Sequence, residues 1–258
     1  MLDLVHYGFA VASGVLVGFS LGLVGGGGSI LAVPLMVYVV GVPNPHVAIG
    51  TSAFAVAVNA ASGLLNHARA GTINWRCAGT YAAAGVVGAF AGSTAGKAFD
   101  GQRLLFLFAL VMAAVGVLML RGRAETGNPD VQCNRENAPK VVGYGFGTGV
   151  FSGFFGIGGG FLIVPGLLAA TGMPIINAIG SSLVAVTAFG LTTALNYAVS
   201  GLVDWLLAAT FIAGGVLGGF LGARLARHLS QFRGLLTGMF GGLIFVVAGY
   251  MLWKSATV

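Results

Sequence analysis

Charged residues are so sparse along this chain that the gaps between them outline its elements. No Asp, Glu, Lys or Arg occurs in the 65 residues between Asp3 and Arg69, or in the 63 between Lys140 and Asp204. Shorter charge-free runs cover 77–96, 104–120, 205–223 and 234–253. Roughly 20 apolar residues in a helix cross a bilayer core, so each short run predicts one span. The long runs must be divided. In the first, "GVPNP" at Gly41 to Pro45 is a turn signal that leaves His46 to Leu65 as one span. In the second, "TGMP" at Thr171 to Pro174 plays the same part. What remains of the first, Gly8 to Val40, would reach ~50 Å as one helix at about 1.5 Å per residue. It either tilts strongly and projects, or breaks at its glycines.

The pattern occurs twice. Shifting the chain by 131 places Gly14, Gly18 and Gly22 on Gly145, Gly149 and Gly153, and Pro34 on Pro165. A shift of 130 lays "AIGTS", Ala48 to Ser52, on "AIGSS", Ala178 to Ser182, then Asn66 on Asn196 and Trp75 on Trp205. Near-constant offsets of this kind mark a duplicated unit. The expected organisation is a first transmembrane repeat at 1–121, a polar linker at 122–140 and a second repeat at 141–258. Each repeat holds about four hydrophobic segments, the first of them broken at a glycine-rich stretch.

Glycine costs about 1 kcal/mol against alanine in a helix interior, yet Gly25 to Gly28 are consecutive, and Gly156 and Gly158 to Gly160 answer them in the second half. The ladders spaced by four, Gly14/Gly18/Gly22, Gly145/Gly149/Gly153 and Gly214/Gly218/Gly222, read as helix packing. The contiguous clusters read as functional breaks, since paired interruptions in corresponding halves point to a transport site. A half-helix amino terminus there presents free N–H groups and a positive dipole end to an anion.

Mid-span positions carry no acid or base, which argues against cation coordination by carboxylates and against a carboxylate proton relay. The polar residues left at depth are neutral. Candidate substrate ligands are Gly25, Gly26, Gly27, Gly28, Ser29, Thr51, Ser52, Asn59 and Asn66 in one half. Gly156, Gly158, Gly159, Gly160, Ser181, Ser182, Thr187 and Asn196 are those in the other. Each hydroxyl has a competing reading as a bond to its own helix carbonyl. Asp204 sits at a helix start and reads as a cap. An intramembrane enzyme is disfavoured: Ser52 and His67, 15 residues apart, lie about four turns apart on one helix.

Composition completes the class. Of 258 residues, 57% are hydrophobic and 7% charged, against about 25% charged in soluble domains. This is an all-α polytopic membrane protein. The net charge of +6 reads as basic cytoplasmic loops, the positive-inside bias, rather than nucleic-acid binding. Eight plain spans would divide the twelve Lys and Arg seven to five between the two faces. Letting each glycine segment enter and return on one side divides them nine to three. Arg69, Arg76, Arg121, Arg123, Arg135, Lys140, Arg224, Arg227 and Arg233 then oppose Lys97, Arg103 and Lys254. That arrangement would also make the halves inverted repeats. Cys77 and Cys133 form no CxxC and read as two unremarkable thiols, with no disulfide framework and no metal set. No cofactor is implied, and no cleavable leader is evident in "MLDLVHYGFA".

With "GLVGGGGSILAVPL", "AIGTSAF", "GFFGIGGGFLIVPGL" and "AIGSSL" in view, the chain resembles the sulfite exporter TauE/SafE family over roughly Gly8 to Trp253. The resemblance implies an inner-membrane permease of seven or eight spans built by internal duplication. It also implies sulfite, sulfoacetate or other organosulfonates as cargo. The partners expected are the lipid bilayer and a small anion. Rival cargoes are another small anion, a carboxylate or a neutral solute.

Overall fold

The computed structural model describes residues 3–121, 133, 137–228 and 233–256. The first half holds α1, Leu4–Val24, then a 3-10 stretch, Gly25–Leu31, one α turn, α2, Ala32–Pro34, and a π turn, Leu35–Val39. It continues with α3, Pro45–Arg69, α4, Trp75–Ala98, and α5, Gly101–Arg121. The second half holds α6, Ala138–Phe155, α7, Gly160–Thr171, α8, Ile175–Val199, α9, Trp205–His228, and α10, Arg233–Ala256. Among the described residues, four windows are long and apolar enough to cross a membrane: Val5–Gly22, Pro45–Arg69, Ile175–Val199 and Trp205–Leu225. Shorter apolar helices lie at Gly27–Val39, Gly101–Val117, Gly160–Thr171 and Ile244–Lys254.

Short polar side chains cap the starts of α3, α4 and α9. Asn44 Oδ1 accepts from His46 N–H at 2.9 Å, Asn74 Oδ1 from Cys77 N–H at 3.2 Å, and Asp204 Oδ1 from Leu207 N–H at 2.9 Å. These caps satisfy amides that the first turn leaves without acceptors.

Both glycine-rich passages break, and both turn back. Gly28 lies against Ser20 and Leu21 of α1, and Gly41 faces the His6 ring, so residues 25–41 retrace α1 to its start. In the second half Gly156, Gly158 and Gly159 take φ of +69°, +65° and +65°. That left-handed region is open to glycine and costly for other residues. Gly166 of α7 then faces Tyr81 and Thr148, so α7 retraces α6. One long tilted helix is therefore not what forms in either half.

The helix pairings repeat under exchange of the halves. α1 packs on α9 as α6 packs on α4, and α3 meets α9 as α8 meets α4. α3 pairs with α8, and α5 with α10. In the first contact Gly14 lies by Phe211, Gly18 by Gly215 and Gly22 by Gly219, so α1 and α9 are parallel. In the second Gly145 lies by Tyr81, Gly149 by Gly85 and Gly153 by Ala89, so α6 and α4 are parallel too. A methyl group at Gly18 would overlap the Gly215 carbonyl, and one at Gly149 the Gly85 carbonyl. The ladders thus let backbones touch, as small residues do between membrane helices.

Gly50 against Tyr197 and Gly63 against Leu183 make α3 and α8 antiparallel. Elements at equivalent positions, such as α1 and α6, consequently run in opposite senses. Arg69, Arg76, Arg121, Lys140, Arg224, Arg227 and Arg233 fall at the end of the bundle that holds the linker. Lys97, Arg103 and Lys254 fall at the amino-terminal end, and Arg123 and Arg135 lie outside the described residues.

One expectation is corrected. Cys77 and Cys133 are joined as a disulfide across 56 residues of sequence. Their spacing carries no pairing signal; only the fold brings the linker to the first turn of α4.

Candidate functional site

The two breaks meet near mid-height. The 3-10 stretch packs on α7 and α8. A Cβ at Gly158 would lie 3.0 Å from Val56 and 3.2 Å from Val186. Val56 and Val186 are each the twelfth residue of a 25-residue helix, α3 and α8. Leu162 N–H and Ile163 N–H both donate to the Gly159 carbonyl, at 2.9 and 3.0 Å. The amides just ahead of them are the ones a helix start leaves without intrahelical acceptors.

Ser152 stands beside this helix start. Its side chain is fully buried, and its Oγ has no hydrogen-bond partner among the described residues. A Cβ at Gly159 would sit 3.0 Å from that Oγ. A buried hydroxyl left unpaired costs about 1–3 kcal/mol. Hydroxyl, free amides and positive dipole end together suit a small oxyanion without locking it in an ion pair.

Asn59 is another buried polar side chain without a partner among the described residues. It lies one turn beyond Val56, is 5% exposed, and neither its Oδ1 nor its Nδ2 has a hydrogen-bond partner among the described residues. It is pressed against Gly215 of α9. The equivalent position in the second half is Phe189, packed on Gly85 and stacked on Tyr81 with ring centroids 6.4 Å apart.

The other sequence candidates divide clearly. Gly25 to Gly28 and Ser29 lie in the 3-10 stretch, and Gly27, Gly28 and Ser29 are buried. Gly156, Gly158 and Gly159 form the second break, and Gly160 opens α7. Thr51 Oγ1 accepts from Asp204 N–H at 3.0 Å, and Ser181 Oγ accepts from Asn74 N–H at 3.0 Å. These equivalent hydroxyls dock the two loops onto α3 and α8. Ser52, Ser182 and Thr187 donate to carbonyls of their own helices, at Ile49, Ile179 and Leu183. Asn66 is exposed at the linker end, and Asn196 lies at the opposite end.

Asn196 belongs to a network that sequence reasoning missed. Lys97 Nζ donates to the Asn196 carbonyl at 2.9 Å, Asn196 Oδ1 at 2.8 Å and Ser200 Oγ at 2.9 Å. Asn196 Nδ2 donates to Ser93 and Thr94. The only signal for this cluster was that Lys97 falls on Arg227 at an offset of 130. Ser152 was missed for the opposite reason: it falls on Leu21 at 131, so a search for matched pairs passes over it. An apolar cleft of about 340 Å³ between α5 and α6, lined by Leu107, Leu110, Val150 and Phe154 among others, holds none of the candidates.

The family profile described as "Sulfite exporter TauE/SafE" matches residues 10–251. The chain belongs to the TauE/SafE family. A "Probable membrane transporter protein" of Xylella fastidiosa strain 9a5c is 55% identical over 251 residues, 95% of this chain and 94% of the relative. A counterpart in strain Temecula1 is 56% identical over the same length. A relative of the same description from Methanocaldococcus jannaschii is 31% identical, covering 76% of this chain and 72% of its own. No solved structure matches. This TauE/SafE chain is thus a multi-pass membrane transporter.

Proposed function

We propose that this TauE/SafE protein is an inner-membrane exporter of small sulfur-containing anions, sulfite or an organosulfonate, held between the two halves at the broken passages. One observation carries the reading: the amino terminus of α7 opens beside Gly158 and Gly159 at mid-height, with the buried Ser152 Oγ next to it and lacking a partner among the described residues. The basic residues at the linker end support placing that end in the cytoplasm. The opposite senses of equivalent elements support inverted repeats, a plan that lets two halves rock about a central site. With no acid or base in the middle of either passage, the anion meets dipoles and hydroxyls it can leave again. An inside-negative potential drives an anion outward by about 2.3 kcal/mol per charge per 100 mV, so export needs no coupled ion.

Flux of sulfite from proteoliposomes, with and without an imposed potential, tests this. Efflux that accelerates when the interior is made negative, and that Ser152→Ala slows, is the expected result. Absence of flux for sulfite and sulfonates alike overturns the reading. Thermal stabilisation by a carboxylate and by no sulfur anion would reassign the cargo.

A further inference from the structure

We propose that the Cys77–Cys133 disulfide is a modification site for a small sulfur nucleophile, sulfite or a thiol, which attacks the Cys133 sulfur and expels Cys77. Burial sets the direction of attack. Cys77 is fully buried, whereas Cys133 is only half-buried in the linker. The nucleophile therefore meets Cys133, and the leaving sulfur is that of Cys77.

The leaving group is well placed. Cys77 is the third residue of α4, after the Asn74 cap, and its N–H donates to Asn74 Oδ1. A thiolate released in a first helical turn is stabilised by the positive end of the helix, and a stabilised thiolate leaves faster. Arg76 precedes it and Arg69 closes α3 at the same end; both are exposed. Anionic nucleophiles concentrate over such a surface.

Location argues against a permanent staple. The pair lies at the basic end, which the transport reading places in the cytoplasm. Cytoplasmic disulfides are reduced unless transient or regulatory. Cys77 also sits three residues from Asn74, whose N–H reaches Ser181 of α8 at 3.0 Å. Opening the disulfide thus releases Cys133 from the α4 start that docks on α8.

The step balances without an added oxidant. With sulfite, the sulfur lone pair forms a bond to Cys133 Sγ, the Cys77–Cys133 bond breaks, and its electron pair leaves on Cys77. The products are an S-sulfonate on Cys133 and a thiolate on Cys77. With a thiol, a mixed disulfide forms on Cys133, and the thiol proton goes to solvent. The sulfite arm rests on the transport reading for its supply of sulfite at this end; the thiol arm does not.

Full-length protein purified without reductant is treated with sulfite or glutathione, alkylated and mapped by mass spectrometry. Untreated protein should show no alkylated cysteine. Sulfite should yield one sulfonate on Cys133 and one alkylated Cys77; glutathione should yield its adduct on Cys133 and the same Cys77. Arg76→Gln or high salt should slow the sulfite reaction several-fold. Two freely alkylated cysteines in untreated protein, a pair inert to both reagents, or adducts on Cys77 would each overturn the proposal. These masses require no transport measurement. A protein that takes the sulfonate but carries no sulfite defeats the transport reading alone, and sulfite flux with an inert disulfide defeats this proposal alone.

Discussion

Asn59 and Phe189 occupy equivalent places in the two halves, each one turn beyond a valine at the central crossing and each pressed on a glycine of a neighbouring helix. Phe189 does what that place asks for. It fills the space over Gly85 and stacks on Tyr81. Asn59 fills its space over Gly215 but leaves two amide atoms buried without partners among the described residues. The same backbone demonstrably accepts an aromatic ring on the other side.

The largest test of this comparison strikes the frame that both places share. Gly18→Leu and Gly149→Leu should each cost about 3 kcal/mol or more, because a side chain there overlaps a facing backbone. Melting of the purified protein in detergent should fall equally for the two; a drop for one alone breaks the equivalence of the halves. Next come the exchanges at the compared positions. Phe189→Asn should cost about 3 kcal/mol, as loss of a buried ring does. Asn59→Phe should stabilise by about 1–3 kcal/mol, the penalty of an unpaired amide removed, while cutting sulfite flux at least about tenfold. If Asn59→Phe melts lower and transports normally, the amide is a packing residue after all.

Two smaller effects sharpen the contrast between polar groups at the site and polar groups in the scaffold. Ser152→Ala should raise KM for the anion about tenfold, or about 1.4 kcal/mol, while melting rises by about 1 kcal/mol as the unpaired hydroxyl is removed. Thr51→Val and Ser181→Ala should do the reverse. Each loses a bond to a loop amide, about 1 kcal/mol in melting, and leaves KM alone. Unequal losses for Thr51 and Ser181 would show that the two loops are not docked alike.

Spans and breaks were legible in the sequence, whereas the partners of its hydroxyls were not. A charge-free run of 65 residues with four consecutive glycines admits few arrangements in a bilayer, so the interruption could be anticipated. Thr51 and Ser181 stood out as a matched pair of candidate substrate ligands, yet their acceptor roles depend on Asp204 and Asn74, 153 and 107 residues away. Ser152 was invisible because duplication had left leucine at its counterpart. Lys97 counted only as one of three charges on the minority face until the fold brought Asn196 and Ser200 around it.

By itself, the order of residues determined that this protein lives in a membrane and that it is helical, and it raised the expectation of two repeats whose first passages are interrupted. Those properties follow from transfer free energy and backbone hydrogen bonding, which act on local stretches of chain. Only the tertiary structure decided that the interrupted passages turn back, that the linker cysteine meets the start of α4, and which buried polar atoms are left without partners. Those outcomes depend on contacts between parts of the chain that are not neighbours in sequence, such as Gly41 with His6 and Cys77 with Cys133, and no local pattern encodes which of them will meet.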